Sequence, residues 1–476
     1  MPINESQVSP SFAHKTEKET SSKERFHPAV ILMAIVLIAV AMTYIFDSGV
    51  FEREGKSIVP GTYQVLEKSR SAWQLFGVSD ASAQASPVGL MDALLSIPLA
   101  IDERAGMIFM VLFIGGMFGV LNRSGAIESG LERMLTVTRG NIYLLIPPMM
   151  IVFSMGSTFL GMAKEYLLVI PMVVAMVERL GMSRLMGLAI VAIPVKVGYL
   201  ASITNPYALP IAQPLVGVPV FSGMGMRVFV FVLFMSVGVL FMLNAIRKQG
   251  HSFDLQSLST SLVLSTRHKL ILGVLALGVA FLVYASQTWH WKYEHLSAYY
   301  LALGIVFAIL AGLSPSETAV AFVDGMKKVL IAGVLIALAT SVAMILEQGK
   351  VLDTIVYLLA GLVGDNNASF AAYGMFVSQL IIDVLIPSTS GQAAVTMPIL
   401  GPLGQLSGVD PHTTVLAFLL GNGLTNIITP TSSGLLIFLA AAQVGWGQWA
   451  KFILPLWLLL CALSLAVLYI SLQVYS

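Results

Sequence analysis

Apolar runs recur along the chain at a length of about 17 to 22 residues, which is what a helix needs to cross the hydrocarbon of a bilayer. They fall at 28–46, 105–121, 184–205, 227–246, 270–288, 296–313, 329–346, 413–428 with its continuation, and 452–472, which predicts nine crossings. Two further regions, 141–178 and 368–407, are apolar on both sides of a polar, glycine-containing centre: "SMGSTFLGMAKE" in one and "PSTSGQ" in the other. Short arms around a broken middle predict two re-entrant hairpins.

Composition turns this pattern into a class. Hydrophobic residues make up 57% of the 476 and charged residues only 11%, where a soluble protein carries about a quarter charged. The chain reads as an all-α polytopic membrane protein. A net charge of +1 gives no basic field for nucleic acid, and the lone Cys461 in an apolar run excludes cysteine redox chemistry and thiolate metal sites. Residues 1–27 are polar and mixed in charge and read as a disordered cytoplasmic tail, not a signal peptide.

Positive charge orients the crossings. With the N-terminus inside, the cytoplasmic loops hold Arg123, Arg133, Arg139, Arg179, Arg184, Arg247, Lys248, Arg267, Lys269, Lys327 and Lys328, while the outer loops after the first are nearly bare. The long segment 47–104 reads as an outer loop. The tally fits the hairpin reading and places the C-terminus outside, in the inner membrane of a bacterial-type cell.

The chain also repeats. Gly125 pairs with Gly349 and Arg227 with Lys451 at an offset of 224, and Pro171 and Gly181 pair with Pro398 and Gly408 at 227. This predicts a first repeat over 28–246, with hairpin one at 141–178 and a broken helix at 184–221. A linker over 247–295 holds one crossing. A second repeat over 296–476 has hairpin two at 368–407 and a broken helix at 413–442. Four crossings and one hairpin per repeat make the second half inverted, and inverted repeats with broken segments are the signature of a secondary transporter with its site at midplane.

Non-helical backbone in lipid leaves unpaired N–H and C=O groups costing several kcal/mol each, so it persists only inside protein or against a watery cavity. The tips should therefore line a site: Gly156, Ser157 and Thr158 from hairpin one, and Ser388, Thr389, Ser390, Gly391 and Gln392 from hairpin two. The broken helices add Thr204, Asn205 and Pro206 in "SITNPY", and Asn422, Thr425, Asn426, Thr429 and Thr431 in "GNGLTNIITPTSSG". Proline frees a carbonyl and glycine lets the chain turn. Helix N-termini suit carboxylates, and freed carbonyls with Ser, Thr and Asn oxygens suit Na⁺.

Lys164, Glu165, Lys196 and Asp383 lie deep in apolar runs, where a charge costs at least about 2.5 to 3.5 kcal/mol and must find a partner. Two readings stand side by side. In one, Lys164 or Lys196 supplies the charge a bound Na⁺ would bring, or meets a substrate carboxylate. In the other, Glu165 and Lys196 form a structural ion pair and Asp383 is satisfied by backbone donors. Asp383 or Glu165 could carry a coupling proton. Other motifs are weaker. "GVFEREGKS" has one residue too many for a phosphate loop, "WHWKYEH" is an interfacial aromatic belt, not a metal site, and Glu128, Glu132 and Arg133 sit on an amphipathic interfacial stretch.

The motifs "IPSTSGQAAVTMPILGPLGQLSGV", "GNGLTNIITPTSSG", "GGMFGVLNRSGAIESG", "GMAKEYLLVIPM" and "NPYALPIAQPLVGVPVFSGMGMR" resemble the YfcC-like branch of the C4-dicarboxylate anaerobic carrier (DcuC) family of the ion transporter superfamily. The resemblance runs from about residue 28 to near the end. It implies an elevator-type transporter, with Ser157, Thr158, Asn205, Ser388 to Gln392 and Asn426 to Thr431 as substrate or cation contacts. Lys164 stands where an acid is expected and Lys196 where a small residue is expected. Both put Na⁺ coupling in doubt and lean towards an anionic substrate with H⁺ coupling or exchange.

The function expected is ion-coupled or exchange transport of a small carboxylate-bearing solute, a C4-dicarboxylate or an amino acid. No cofactor is expected beyond Na⁺ or H⁺ as coupling ion. Its partners would be the solute and the bilayer, with a homodimer left open. The alternatives are a cation/proton antiporter, a passive channel, or a membrane-embedded enzyme; the last lacks a Ser–His or paired-acid arrangement at depth.

Overall fold

The computed structural model describes residues 28–475 apart from 56, 69–71, 77–83, 128, 131–132, 134–140, 249–264, 290 and 364–366. The tail 1–27 and most of the amphipathic stretch around Glu128 and Glu132 lie outside the described residues. The helices are α1 (Pro28–Ile45), α2 (Leu90–Glu103), α3 (Ala105–Arg123), α4 (Ile142–Leu160), α5 (Ile170–Arg179), α6 (Arg184–Ala201), α7 (Leu209–Leu215), α8 (Met224–Lys248) and α9 (Thr266–Thr288). They continue as α10 (Tyr293–Ala311), α11 (Pro315–Gln348), α12 (Leu352–Ala360), α13 (Ala368–Leu385), α14 (Thr389–Leu406), α15 (Pro411–Ile428), α16 (Ser433–Ala442) and α17 (Trp446–Val474).

Eight helical segments among the described residues are long and apolar enough to cross a membrane, so the chain is a multi-pass membrane protein. Seven coincide with predicted crossings, and the eighth, α13, falls in the region read from sequence as the first arm of hairpin two. The remaining predicted crossings, 28–46 and 270–288, are helical as α1 and α9. Helix α11 rises about 51 Å, far more than the hydrocarbon thickness. Its first turns, capped by Ser314 and Glu317 in a reciprocal capping box, extend it before the apolar run 329–346.

Packing pairs in one half have counterparts in the other. Helix α4 runs along α6 as α13 runs along α15, and α6 meets α8 as α15 meets α17. Across the halves, α16 touches α5 and α7 touches α14. Outside these ten helices, α10 lies on α3 and α1 lies on α11. Helices α3 and α11 form the spine of this outer frame, in near backbone contact. A Cβ on Gly119 would lie 2.1 Å from the Ala321 carbonyl oxygen, and one on Gly325 would lie 2.2 Å from that of Gly115. Small residues allow this approach, which is how helices gain dispersion contact in lipid, where no hydrophobic drive exists.

The segment 47–104, read from sequence as an outer loop, is structured. Four short strands, β1 (Gly49–Val50), β2 (Arg53–Glu54), β3 (Ser57–Ile58) and β4 (Gln64–Val65), pair antiparallel as β1 with β4 and β2 with β3. This knob grips α12. Arg53 forms a 2.6 Å ion pair with the buried Asp353, which also accepts the Phe51 amide at 3.0 Å, and Tyr63 stacks on Tyr357 with ring centroids 4.2 Å apart. Helix α2 then packs on α11. The acids Asp92, Asp102 and Glu103 with Pro98 make it too polar to read as a crossing.

Candidate functional site

The second region breaks beside the tip expected from sequence, whereas Gly156, Ser157 and Thr158, expected as the first tip, lie inside α4 and the chain turns only at Gly161. Helix α4 stops at Leu160 and Gly161 takes φ +65°; a Cβ there would strike the Tyr207 ring at 2.5 Å and Asn205 Oδ1 at 2.8 Å. The chain then makes a short 3-10 turn over Lys164–Leu168. Helix α13 ends at Leu385, and after Ile386 and Pro387 the Ser388 side chain caps α14 by accepting from the Gly391 amide at 3.3 Å. Helix α6 ends at Ser202 with φ +46°, and α15 gives way to α16, capped by Ser432, across Thr429 and Pro430.

A cavity of about 680 Å³ lies between these breaks and the frame, within the range of small-molecule sites. The first half contributes Gly161, Ala163, Lys164, Lys196, Tyr199 and Tyr207. The second contributes Ser388, Thr389, Gly391, Asn426, Thr431, Ser433 and Gly434, and the frame adds Arg104, Tyr293, Thr340 and Glu347. Arg104, Lys164 and Lys196 face one lining acid, Glu347. Arg104 is paired with Glu103 at 3.0 Å, so the two lysines carry the surplus of positive charge on the wall.

Behind its wall the second tip is a closed hydrogen-bond network. Asp383, wholly buried, accepts from Asn422 Nδ2 at 2.6 Å and from Asn426 Nδ2 at 2.9 Å to each carboxylate oxygen. Asn422 Nδ2 also donates to Gln392 Oε1 at 2.7 Å, and its Oδ1 accepts from Thr389 at 2.9 Å. Gln392 in turn donates to the Gln379 carbonyl at 2.9 Å. Thr425 donates to the Leu380 carbonyl and Thr431 to that of Val384, each tying a broken helix to hairpin two. Thr429 is bonded to Thr431 at 2.8 Å. Asp383 is therefore held by side-chain amides, not by the backbone donors expected from sequence. Buried charge-assisted bonds of this kind are the strong ones.

The first tip is built differently. Gly156, Ser157 and Thr158 do not reach the cavity. Ser157 donates to the Val195 carbonyl at 2.7 Å and Thr158 Oγ1 accepts from the Ile203 amide at 3.0 Å, so both fasten α4 to the broken helix. Gly156 leaves room for the Tyr166 hydroxyl. Thr204 donates to the Phe159 carbonyl at 3.1 Å, and Asn205 Oδ1 accepts from the Tyr207 amide at 2.9 Å ahead of the turn that follows Pro206. Ser390 is exposed beside the cavity lining.

No ion pair joins Glu165 to Lys196, which corrects one of the two sequence readings. Glu165 is buried and accepts the Ala163 amide at 3.0 Å. Lys164 is tethered, its Nζ 3.3 Å from the Trp291 carbonyl and 5.6 Å from the Tyr293 ring centroid. The Lys196 ammonium lies 5.9 Å from the Phe438 ring centroid, at the start of α16, where a Cβ on Gly434 would come within 3.8 Å. Among the described residues it has neither a hydrogen bond nor an ion pair, and the charge it acts on is Asp383. Sequence reasoning missed Arg104, Tyr199, Tyr207, Tyr293 and Glu347. Arg104 and Glu347 sit at ends of apolar runs, where charge is unremarkable, and nothing in their neighbours signals a cavity.

Membrane-length helices broken around a cavity with charged walls fit a polytopic membrane transporter. The chain belongs to the C4-dicarboxylate anaerobic carrier (DcuC) family, whose model matches residues 27–475. It is 30% identical over 370 residues to the "Putative basic amino acid antiporter YfcC" of Escherichia coli, covering 73% of each chain. It is 24% identical over 448 residues to an uncharacterized protein of Haemophilus influenzae, covering 90% of this chain and 84% of that one. The crystal structure of the Alcanivorax borkumensis YdaH transporter aligns over 93% of this chain and 98% of its own at 17% identity and a TM-score of 0.44.

Proposed function

We propose that this protein is a secondary active transporter of a small carboxylate-bearing anion, and that Lys196 is the group that receives the carboxylate. The carrying observation is the Lys196 ammonium, which faces the cavity with no direct protein acceptor among the described residues while Lys164 adds charge of the same sign. An ammonium at this depth with no direct acceptor, answered only at longer range by Asp383, is costly, and a solute carboxylate would supply the contact. The serine-capped starts of α14 and α16 lie on the same wall, where the positive ends of the helix dipoles favour the same charge.

The repeated packing supports two inverted repeats over 28–246 and 296–476, joined by the linker crossing α9. In this reading α4–α8 and α13–α17 move as one body against the frame of α1, α3, α10 and α11, in the manner of an elevator. Coupling is to a proton or by exchange. The oxygens that a Na⁺ would need at the second tip are already taken by Asn422 and Asn426 donors, with Lys196 beside them. Positive loops put the N-terminus and the Arg184 end of α6 in the cytoplasm of an inner membrane.

A second reading, basic amino acid antiport, is favoured by the name of the Escherichia coli relative and by Glu347 on the wall. Counterflow in proteoliposomes separates them. Labelled succinate is expected to exchange without Na⁺, arginine is not, and Lys196→Ala is expected to abolish the exchange. Arginine counterflow that survives Lys196→Ala would overturn the proposal.

A further inference from the structure

Two hollows lie end to end along one seam between the frame and the broken helices. On α3 the substrate cavity is lined by Arg104, Met107 and Met110, and a second crevice of about 190 Å³ takes over from Val111 to Asn122. Helix α11 repeats the handover, facing the cavity from Ala339 to Glu347 and the crevice from Gly325 to Val329. The stretch of chain from Arg104 to Asn122 rises about 27 Å at α-helical pitch, close to the hydrocarbon thickness of about 30 Å. The pair of hollows therefore follows the frame across most of the membrane, with one interruption.

Two side chains border the interruption from both sides, and on α11 the buried Leu335 and Ile336 lie along it. Leu167 and Ile437 are the residues that line both hollows, and both are buried. Leu167 closes the 3-10 turn after the first tip and Ile437 lies in α16, so each half supplies one. The far mouth of the crevice is polar. Arg184 donates at 2.6 Å to Glu178 and to Gln443, half-exposed, with Lys328 alongside. A wet charged mouth, a narrow crevice, two aliphatic side chains and the cavity follow one another in that order.

We propose that Leu167 and Ile437 form the septum that closes the solute path between the cavity and the face carrying Arg184 and Lys328, and that the crevice is the far half of that path. The inference rests on the transporter reading of the cavity. An apolar constriction between two wet spaces excludes water and ions by dewetting, which is how hydrophobic gates hold. Truncating both side chains removes the contact that keeps the gap dry.

Thiol labelling tests this without any substrate. In a Cys461→Ser background, Ala441→Cys reports on the crevice and Ala343→Cys on the cavity. The membrane-impermeant anion methanethiosulfonate ethylsulfonate is applied on ice from the Arg184 face of oriented vesicles. Ala441→Cys is expected to react whatever the septum. Ala343→Cys is expected to react an order of magnitude or more faster once Leu167→Ala and Ile437→Ala are combined. Labelling of Ala343→Cys from the opposite face checks that the variant is folded, and if the pair does not fold, Ile437→Ala alone carries the same expectation. Equal labelling of Ala343→Cys with the septum intact, no acceleration in a folded truncated variant, or an inert Ala441→Cys would each overturn the proposal. Loss of succinate counterflow with the expected labelling pattern would count against the substrate reading alone.

Discussion

Replacing Asn422 with alanine cuts the second tip at its hub. The Asn422 side chain donates to Asp383 at 2.6 Å and to Gln392 at 2.7 Å and accepts from Thr389 at 2.9 Å, so one residue of α15 holds both α13 and α14. A bond to a buried carboxylate contributes about 1.5 to 3 kcal/mol and each neutral bond about 1 kcal/mol, so Asn422→Ala should cost about 3 to 5 kcal/mol. Asp383 would keep its Asn426 bonds, which holds the loss below that of an isolated buried charge. The readout is built in. Indole N–H groups of Trp446, Trp449 and Trp457 donate to the carbonyls of Ile428, Ile427 and Leu424 on α15, each at 2.8 to 2.9 Å. Detergent-titrated unfolding followed by tryptophan fluorescence should register the change, with Ser390→Ala, an exposed neighbour, as the control. A loss under about 1 kcal/mol, or one matched by Ser390→Ala, would refute the hub.

Three other substitutions discriminate along the chain. Gly119→Ala would drive a methyl to 2.1 Å from the Ala321 carbonyl, a backbone atom that cannot swing aside. Overpacking costs about 1 to 3 kcal/mol or more, so the yield of monodisperse protein on size exclusion should collapse, whereas Gly273→Ala, with nothing near its Cβ, should be neutral. Arg53→Ala strips a 2.6 Å partner from the buried Asp353 and should lower thermal stability measurably, while Lys327→Ala, half of an exposed pair worth about 0 to 1 kcal/mol, should not. Thr158→Val removes the acceptor of the Ile203 amide and should destabilise the α4–α6 contact without changing solute preference in counterflow; a changed preference would put Thr158 in the site after all.

The sequence carried the class and most of the apolar helices with their interruptions, because each is a local property. Twenty apolar residues, a Pro beside Asn, or glycine and serine inside hydrocarbon each constrain the backbone wherever the rest of the chain goes. The segments 141–178 and 368–407, read as hairpins, hold the helix pairs α4–α5 and α13–α14. The knob over 49–65 was illegible, since its two-residue strands are held by partners remote in sequence, among them Asp353 and Tyr357 of α12. Helix α2 was illegible for a related reason: the face it buries beside α11 is the small and polar set Asp92, Ala93, Ser96 and Ala100, while Leu94, Leu95 and Leu99 stay exposed.

Within the candidate site the division is finer. That Ser157, Thr158, Asn422 and Asp383 would be polar groups seeking partners follows from their depth alone. Which partners they find is decided by how the helices cross. Ser157 and Thr158 point into α6 and are consumed as ties, while Ser388, Thr389 and Asn426 reach the cavity. Two lysines that look alike in sequence part company in space: Lys164 finds the Trp291 carbonyl and the Tyr293 ring, and Lys196 faces the hollow. Hydropathy acts on each residue separately and is written in the chain. Pairing, and with it the sign of the cavity, depends on the distance between segments that are remote in sequence, and only the folded arrangement of the helices supplies that distance.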